Sequence, residues 1–161
     1  MKKIHVIVAG LLLLSTVSFA QLTAGKMAIT TDILGSSIGG AYALSENMRI
    51  DASVSIVSTS PPSPLKSTTG IGLGAGVKMY NPAMENVAYY YGGKFSFETD
   101  GGDPATTTLN LGVLGGAEYF FSPRFSLGGH VNFGFESKGA TNKTTTIGTM
   151  GMNTVWTWWF N

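Results

Sequence analysis

The chain contains no cysteine, and Asp, Glu, Lys and Arg make up only 12% of its 161 residues. Without a thiol, neither a disulfide framework nor an acylated-cysteine anchor is available. The charge falls well below the ~25–35% that suits a water-facing surface. Long apolar runs are missing too: past residue 20, none reaches the ~20 residues that a spanning helix requires. Nor is there a basic cluster of the kind that holds nucleic acid.

What is present begins with a leader. Lys2 and Lys3, the apolar stretch 4–14 and the small-x-small Ser18-Phe19-Ala20 mark residues 1–20 as a secretory signal peptide, with cleavage expected before Gln21. Removing Lys2 and Lys3 takes the 10 basic residues to 8, against 9 acidic ones, so the processed charge is about −1. Residues 21–161 are one domain's worth of chain. They are rich in glycine, threonine and aromatics. Such a composition, exported and without a spanning helix, points to a membrane β-barrel.

The pattern within 115–136 is the clearest. Ala117, Tyr119 and Phe121, then Phe125, Leu127, Val131, Phe133 and Phe135, fall on one face of two strands. Glu118, Phe120, Ser126, Gly128, His130, Asn132 and Glu136 fall on the other. A period of two with unlike faces is a sheet with two environments. The same reading predicts eight strands, over 26–34, 38–44, 48–57, 70–80, 87–98, 106–121, 125–136 and 144–160. Turns are expected at 35–37, 45–47, 81–86 and 122–124. Longer hydrophilic loops are expected at 58–69, which holds Pro61, Pro62 and Pro64, at 99–105 and at 137–143. Residues 42–54 match 119–131 in apolar pattern, and repeated hairpins build up-and-down barrels. Short turns on one side and longer loops on the other are the asymmetry of an outer-membrane barrel with both termini periplasmic.

Volume assigns the faces. The apolar faces collect too many aromatics to fit inside eight strands, whose interior is just wide enough for side chains to fill. They are therefore expected to meet lipid. Tyr42, Tyr119, Phe121, Phe125, Trp158 and Phe160 would form the aromatic girdle beside the periplasmic turns. The polar faces would line the lumen with Arg49, Asp51, Lys78 and Glu118 in the periplasmic half, and with Asp32, Lys94, Glu98 and Glu136 higher up. Arg49 and Lys78 are expected to pair with Asp51 and Glu118 and so close the lumen, because an unpaired buried charge is costly. The glycines at 70, 72, 74 and 76 are expected to make room for Tyr80 and Tyr90. Asp100-Gly-Gly-Asp103 reads as a turn.

On the strings YALSENMRIDASVSI, EYFFSPRFSLGGHVNFGF and the aromatic end WTWWFN, the chain resembles the small outer-membrane β-barrels of the OmpA transmembrane-domain and OmpX type. The resemblance covers essentially all of 21–161. It implies an all-β fold: an eight-stranded, antiparallel, up-and-down transmembrane barrel in the bacterial outer membrane. It also implies recognition of the last strand by the barrel-insertion machinery. Family members usually end on an aromatic; here Asn161 follows Phe160. A few barrels of this size modify lipid A, one of them through a His with a nearby Ser. His130-Val131-Asn132 lacks that Ser, so His130 is expected to be a hydrogen-bonded lumen residue. The expectation is a non-enzymatic, monomeric membrane protein without cofactor or metal. Its partners would be outer-membrane lipid and an external partner that the loops do not name. A narrow, porin-like passive channel for small solutes is the alternative, and a lipid A-modifying enzyme comes third.

Overall fold

A computed structural model describes residues 22–34, 37–59, 67–140 and 142–160. Residues 1–20, where a signal peptide is expected, lie outside the described residues, as do Gln21 and Asn161. The chain is all-β, with strands β1 Met27–Asp32, β2 Ser37–Ser45, β3 Met48–Thr59, β4 Thr68–Met84, β5 Val87–Thr99, β6 Thr107–Ser122, β7 Phe125–Gly139 and β8 Lys143–Phe160. Each pairs antiparallel with its neighbours in sequence, and β8 returns to β1 to close the ring. No helix among the described residues is long and apolar enough to cross a membrane.

The register fixes the tilt. Paired residues lead around the ring from Asp32 through Ser37, Ser55, Gly72, Glu98, Thr108 and Lys138 to Thr144. Yet β8 meets Asp32 at Val155. The offset from 144 to 155 includes one bulged residue. The stagger is therefore about 10 residues over eight strands, as strongly tilted strands require.

Two connections depart most from the sequence reading. The turn expected at 81–86 shrinks to Glu85-Asn86, because Asn81 and Pro82 pair with Tyr89 and Ala88. Pro82 is accommodated where the register shifts between Pro82 and Met84, since a bulge spares the missing N–H. The loop expected at 137–143 is mostly strand: β7 continues to Gly139, and β8 begins at Lys143 with β-branched threonines. Of the loop expected at 58–69, residues 60–66 lie outside the described residues, as do 35 and 36 of the first turn.

The internal repeat is a repeat of structure. Ser45 pairs with Met48 and Ser122 with Phe125, each after a register shift. In both turns the serine hydroxyl accepts the backbone N–H two residues on, from Asn47 and from Arg124. That local bond is what serine offers a tight turn.

The ring is inverted relative to a water-soluble fold. Large apolar side chains on every strand face outward and are exposed, among them Ile29, Ile38, Val54, Leu73, Phe95, Leu111, Phe133 and Trp158. Arg49, Glu118 and Lys78 point inward and are buried to 5% exposure or less. In β8 the alternation changes phase once. Met150 and Gly151 together oppose Asn132, with Gly151 at φ 110°. The bulge lets Ile147 above it and Trp156 and Trp158 below it all face outward.

The glycines at 70, 72, 74 and 76 do not make room for Tyr80 and Tyr90. Gly72 faces Ser55 and Glu98, Gly74 faces Ser53, and Gly70 and Gly76 face neighbouring backbone. Tyr90 is accommodated elsewhere, its hydroxyl against Gly128. Alternate glycines show which face is crowded, but the register decides by what.

Candidate functional site

The turn-end half of the lumen is filled by one polar network around Arg49. The residue enters at the second position of β3, where alternation turns it inward. Its Nε donates to Asp51 Oδ1 at 2.8 Å, and its Nη1 donates to both oxygens of Glu118 at 3.3 and 3.2 Å. Its Nη2 forms an ion pair with Asp51 Oδ1 at 2.8 Å. The guanidinium carbon lies 5.8 Å from the centre of the Tyr80 ring and 5.5 Å from that of Trp159. Such contacts stabilise a cation that has lost its water.

Glu118 is buried and accepts from three sides: from Arg49, from the Tyr80 hydroxyl at 2.6 Å and from Ser126 Oγ at 2.5 Å. A carboxylate can accept about four hydrogen bonds, so its capacity is nearly used. Ser126 in turn accepts from Trp159 Nε1 at 3.3 Å. Lys78 Nζ lies 3.5 Å from Asp51 Oδ2 and 5.0 Å from the centre of the Tyr90 ring. Tyr90 stacks at a tilt on Tyr80, and its hydroxyl meets His130 Nδ1 at 3.0 Å. Gly116 lies opposite His130 in the register; a Cβ there would run into the Gly129 carbonyl and His130 itself.

Beneath this network lies an apolar floor. Leu22, Ala28, Ala43, Tyr80, Ala88, Phe120 and Trp159 belong to one buried cluster. The backbone N–H groups of Tyr80, Phe120 and Trp159 donate to the carbonyls of Asn47, Asn86 and Arg124. Each acceptor is the residue just before an odd-numbered strand, so each turn is latched to the strand beyond it.

Above the network the lumen opens. Lys94, Glu98 and Glu136 share the inward face but not the network. With Asn110, Asn132 and Lys138 they line a cavity of about 310 Å³ toward the loop end. Among the described residues none of the three forms an ion pair. Asp32 is tied in by its own relay: Asn132 donates to Asn153 at 2.5 Å, and Asn153 donates to Asp32.

On the outer surface, Tyr119, Phe121, Phe125, Trp156 and Trp158 form a run of ring contacts. Their successive centroids are 4.8, 5.5, 5.1 and 6.2 Å apart, with both tryptophans against Phe125. Phe160 and Tyr42 flank Met27 from opposite sides and continue the belt at the turn end. Sequence reasoning put Ser126 on the lumen face without naming it as a partner of Glu118, and it did not single out Thr157 or Trp159. The middle position of the Trp-Trp-Phe string was the available signal, since strict alternation turns Trp159 inward.

No family model and no curated protein matches the chain. The geometry therefore stands on its own. It is a buried polar network beside an apolar floor, with open polar space on one side and an apolar outer wall.

Proposed function

We propose that the chain is an integral bacterial outer-membrane β-barrel of the OmpA transmembrane-domain and OmpX type. It is exported by its signal peptide and acts without enzymatic chemistry, as a structural or surface-interaction protein through its loop end. The observation that carries this is the inversion of the sheet: aliphatic and aromatic side chains point outward around the whole ring, while Arg49, Lys78 and Glu118 are buried inside it. A soluble protein rarely exposes contiguous apolar patches beyond a few hundred Å². A lipid-facing barrel requires such a band, and ring closure leaves no backbone edge where the strands pair all round.

The non-enzymatic reading draws support from what the polar groups are committed to. His130 faces Tyr90 rather than a serine, and Ser126 is engaged with Glu118 and Trp159. The plugged-lumen reading draws support from the ion pairs around Arg49. The open space above them is the one observation that favours a narrow solute channel, and single-channel recording separates the two. A silent bilayer fits the plug, and steady sizeable conductance requires the channel.

The membrane assignment is tested by fractionation. The processed protein is expected with the outer membrane, migrating faster on a gel before boiling than after. Recovery as a soluble periplasmic protein with no heat-dependent shift would overturn the proposal.

A further inference from the structure

We infer that Leu22 is the fourth side chain of the lumen floor, and that residues 22–26 form a strap closing the turn-end mouth independently of the ion pairs above it. The inference rests on the membrane-barrel reading. Its basis is a fourfold pattern with one gap. On β4, β6 and β8 an inward aromatic, Tyr80, Phe120 or Trp159, donates its backbone N–H to the residue preceding an odd-numbered strand. β2 has the same latch: Ala43 N–H donates to the carbonyl of Lys26, the residue before β1, at 2.9 Å. The side chain there is only a methyl group.

The space that a ring would fill is instead reached by the chain ahead of β1. The Lys26 N–H bonds the Thr23 carbonyl, and Gly25, at φ 84°, donates to the Ala43 carbonyl at 2.8 Å. A residue with a Cβ is disfavoured at that φ, so glycine permits the turn. The turn brings back Leu22, which is buried to 3% exposure in the same cluster as Ala43 and the three aromatics. A leucine left exposed gains nothing from order. Buried, it contributes apolar area and keeps water from the network.

The internal repeat makes the same point from the other side. Ala43 matches Phe120, so one hairpin supplies its floor side chain from within while the other borrows it.

The absence of native cysteine allows a direct test. Ala88 is fully buried beside the floor. In folded A88C protein in detergent, a water-soluble thiol reagent is expected to react slowly. Adding Leu22→Gly should accelerate labelling by roughly tenfold or more, as local opening exposes a buried site. Adding Glu118→Gln instead, which weakens the ion-pair layer, should not. Adding Ala43→Phe to A88C/L22G should restore protection, because the side chain is then supplied from β2.

Unchanged labelling with L22G, or equal acceleration by E118Q, would overturn the inference. So would failure of A43F to protect when A43F still gives a folded barrel; A43L serves if phenylalanine prevents folding. If L22G itself does not fold, L22A is used with the same expectations. The heat-dependent gel shift is read on every protein. Loss of the shift in A88C alone counts against the membrane barrel, whereas a retained shift with unaltered labelling counts against the strap.

Discussion

Toward the turn end, the lumen holds Arg49, Lys78 and Glu118 buried among Tyr80, Tyr90, Phe120 and Trp159. Toward the loop end, Lys94, Glu98 and Glu136 stand on the same inward face with open space around them. The two halves have similar charged residues and opposite physics. In the packed half a charge persists because its partners are fixed within hydrogen-bond reach, and removing one strands the others. In the open half water can replace any partner, so single charges carry little stability.

Four changes test that contrast. Arg49→Ala should be the most damaging, because it leaves Glu118 and Asp51 buried without their shared cation. A loss of about 3–5 kcal/mol is expected in denaturant unfolding of the detergent-folded barrel. An equal loss from a loop-end charge would break the comparison. Tyr80→Phe removes one donor to the buried carboxylate and should cost about 1.5–3 kcal/mol in the same assay. Lys94→Gln and Glu136→Gln should each stay within about 0.5 kcal/mol; a larger effect would mean that the chamber is ordered by contacts between its charges.

The smallest effect belongs to the loop above the chamber. Asp100 Oδ1 accepts the N–H groups of Gly102 at 2.9 Å and Thr106 at 2.8 Å. These bonds hold its carboxyl below the ordinary carboxylate range. A depressed folded-state pKa stabilises the loop above the unfolded value, and that stability is lost as pH falls through the folded one. The amide signals of Gly102 and Thr106 should therefore shift together on acidification while those of the turn-end network hold. Simultaneous loss of both would mean that the halves are not independent.

Alternation made much of this legible. A period of two assigns each strand residue to a face, so Arg49, Asp51, Lys78, Glu118 and His130 could be put in the lumen and Phe121, Phe125 and Trp158 outside it. Alternation does not give height, because height depends on the stagger between strands, and stagger is a property of the closed ring. Counting residues from the turns supplies a rough height, which puts Lys94 and Glu136 above Arg49, but it does not say which side chains of different strands share a level. The partners of the buried charges escaped for a related reason. Ser126 and Trp159 matter only because tilted strands bring them to the level of Glu118, and no local pattern encodes that. Pro82 misled because its missing N–H matters only where a ladder bond is required, and the bulge removes the requirement.

The bulge at Met150 and Gly151 joins two reading frames of one strand. Above it the outward frame is set by Thr149 and Ile147; below it, by Met152, Trp156 and Trp158. Deleting a single residue there would merge the frames. Either the two indoles would turn into a lumen already filled by Arg49 and its partners, or Ile147 would turn into the polar chamber. β8 is also the strand that must meet β1 for the ring to close. Closure of the whole sheet therefore depends on a one-residue insertion, and the chain tolerates length changes at the Thr-rich tip of β8 far better than seven residues further along.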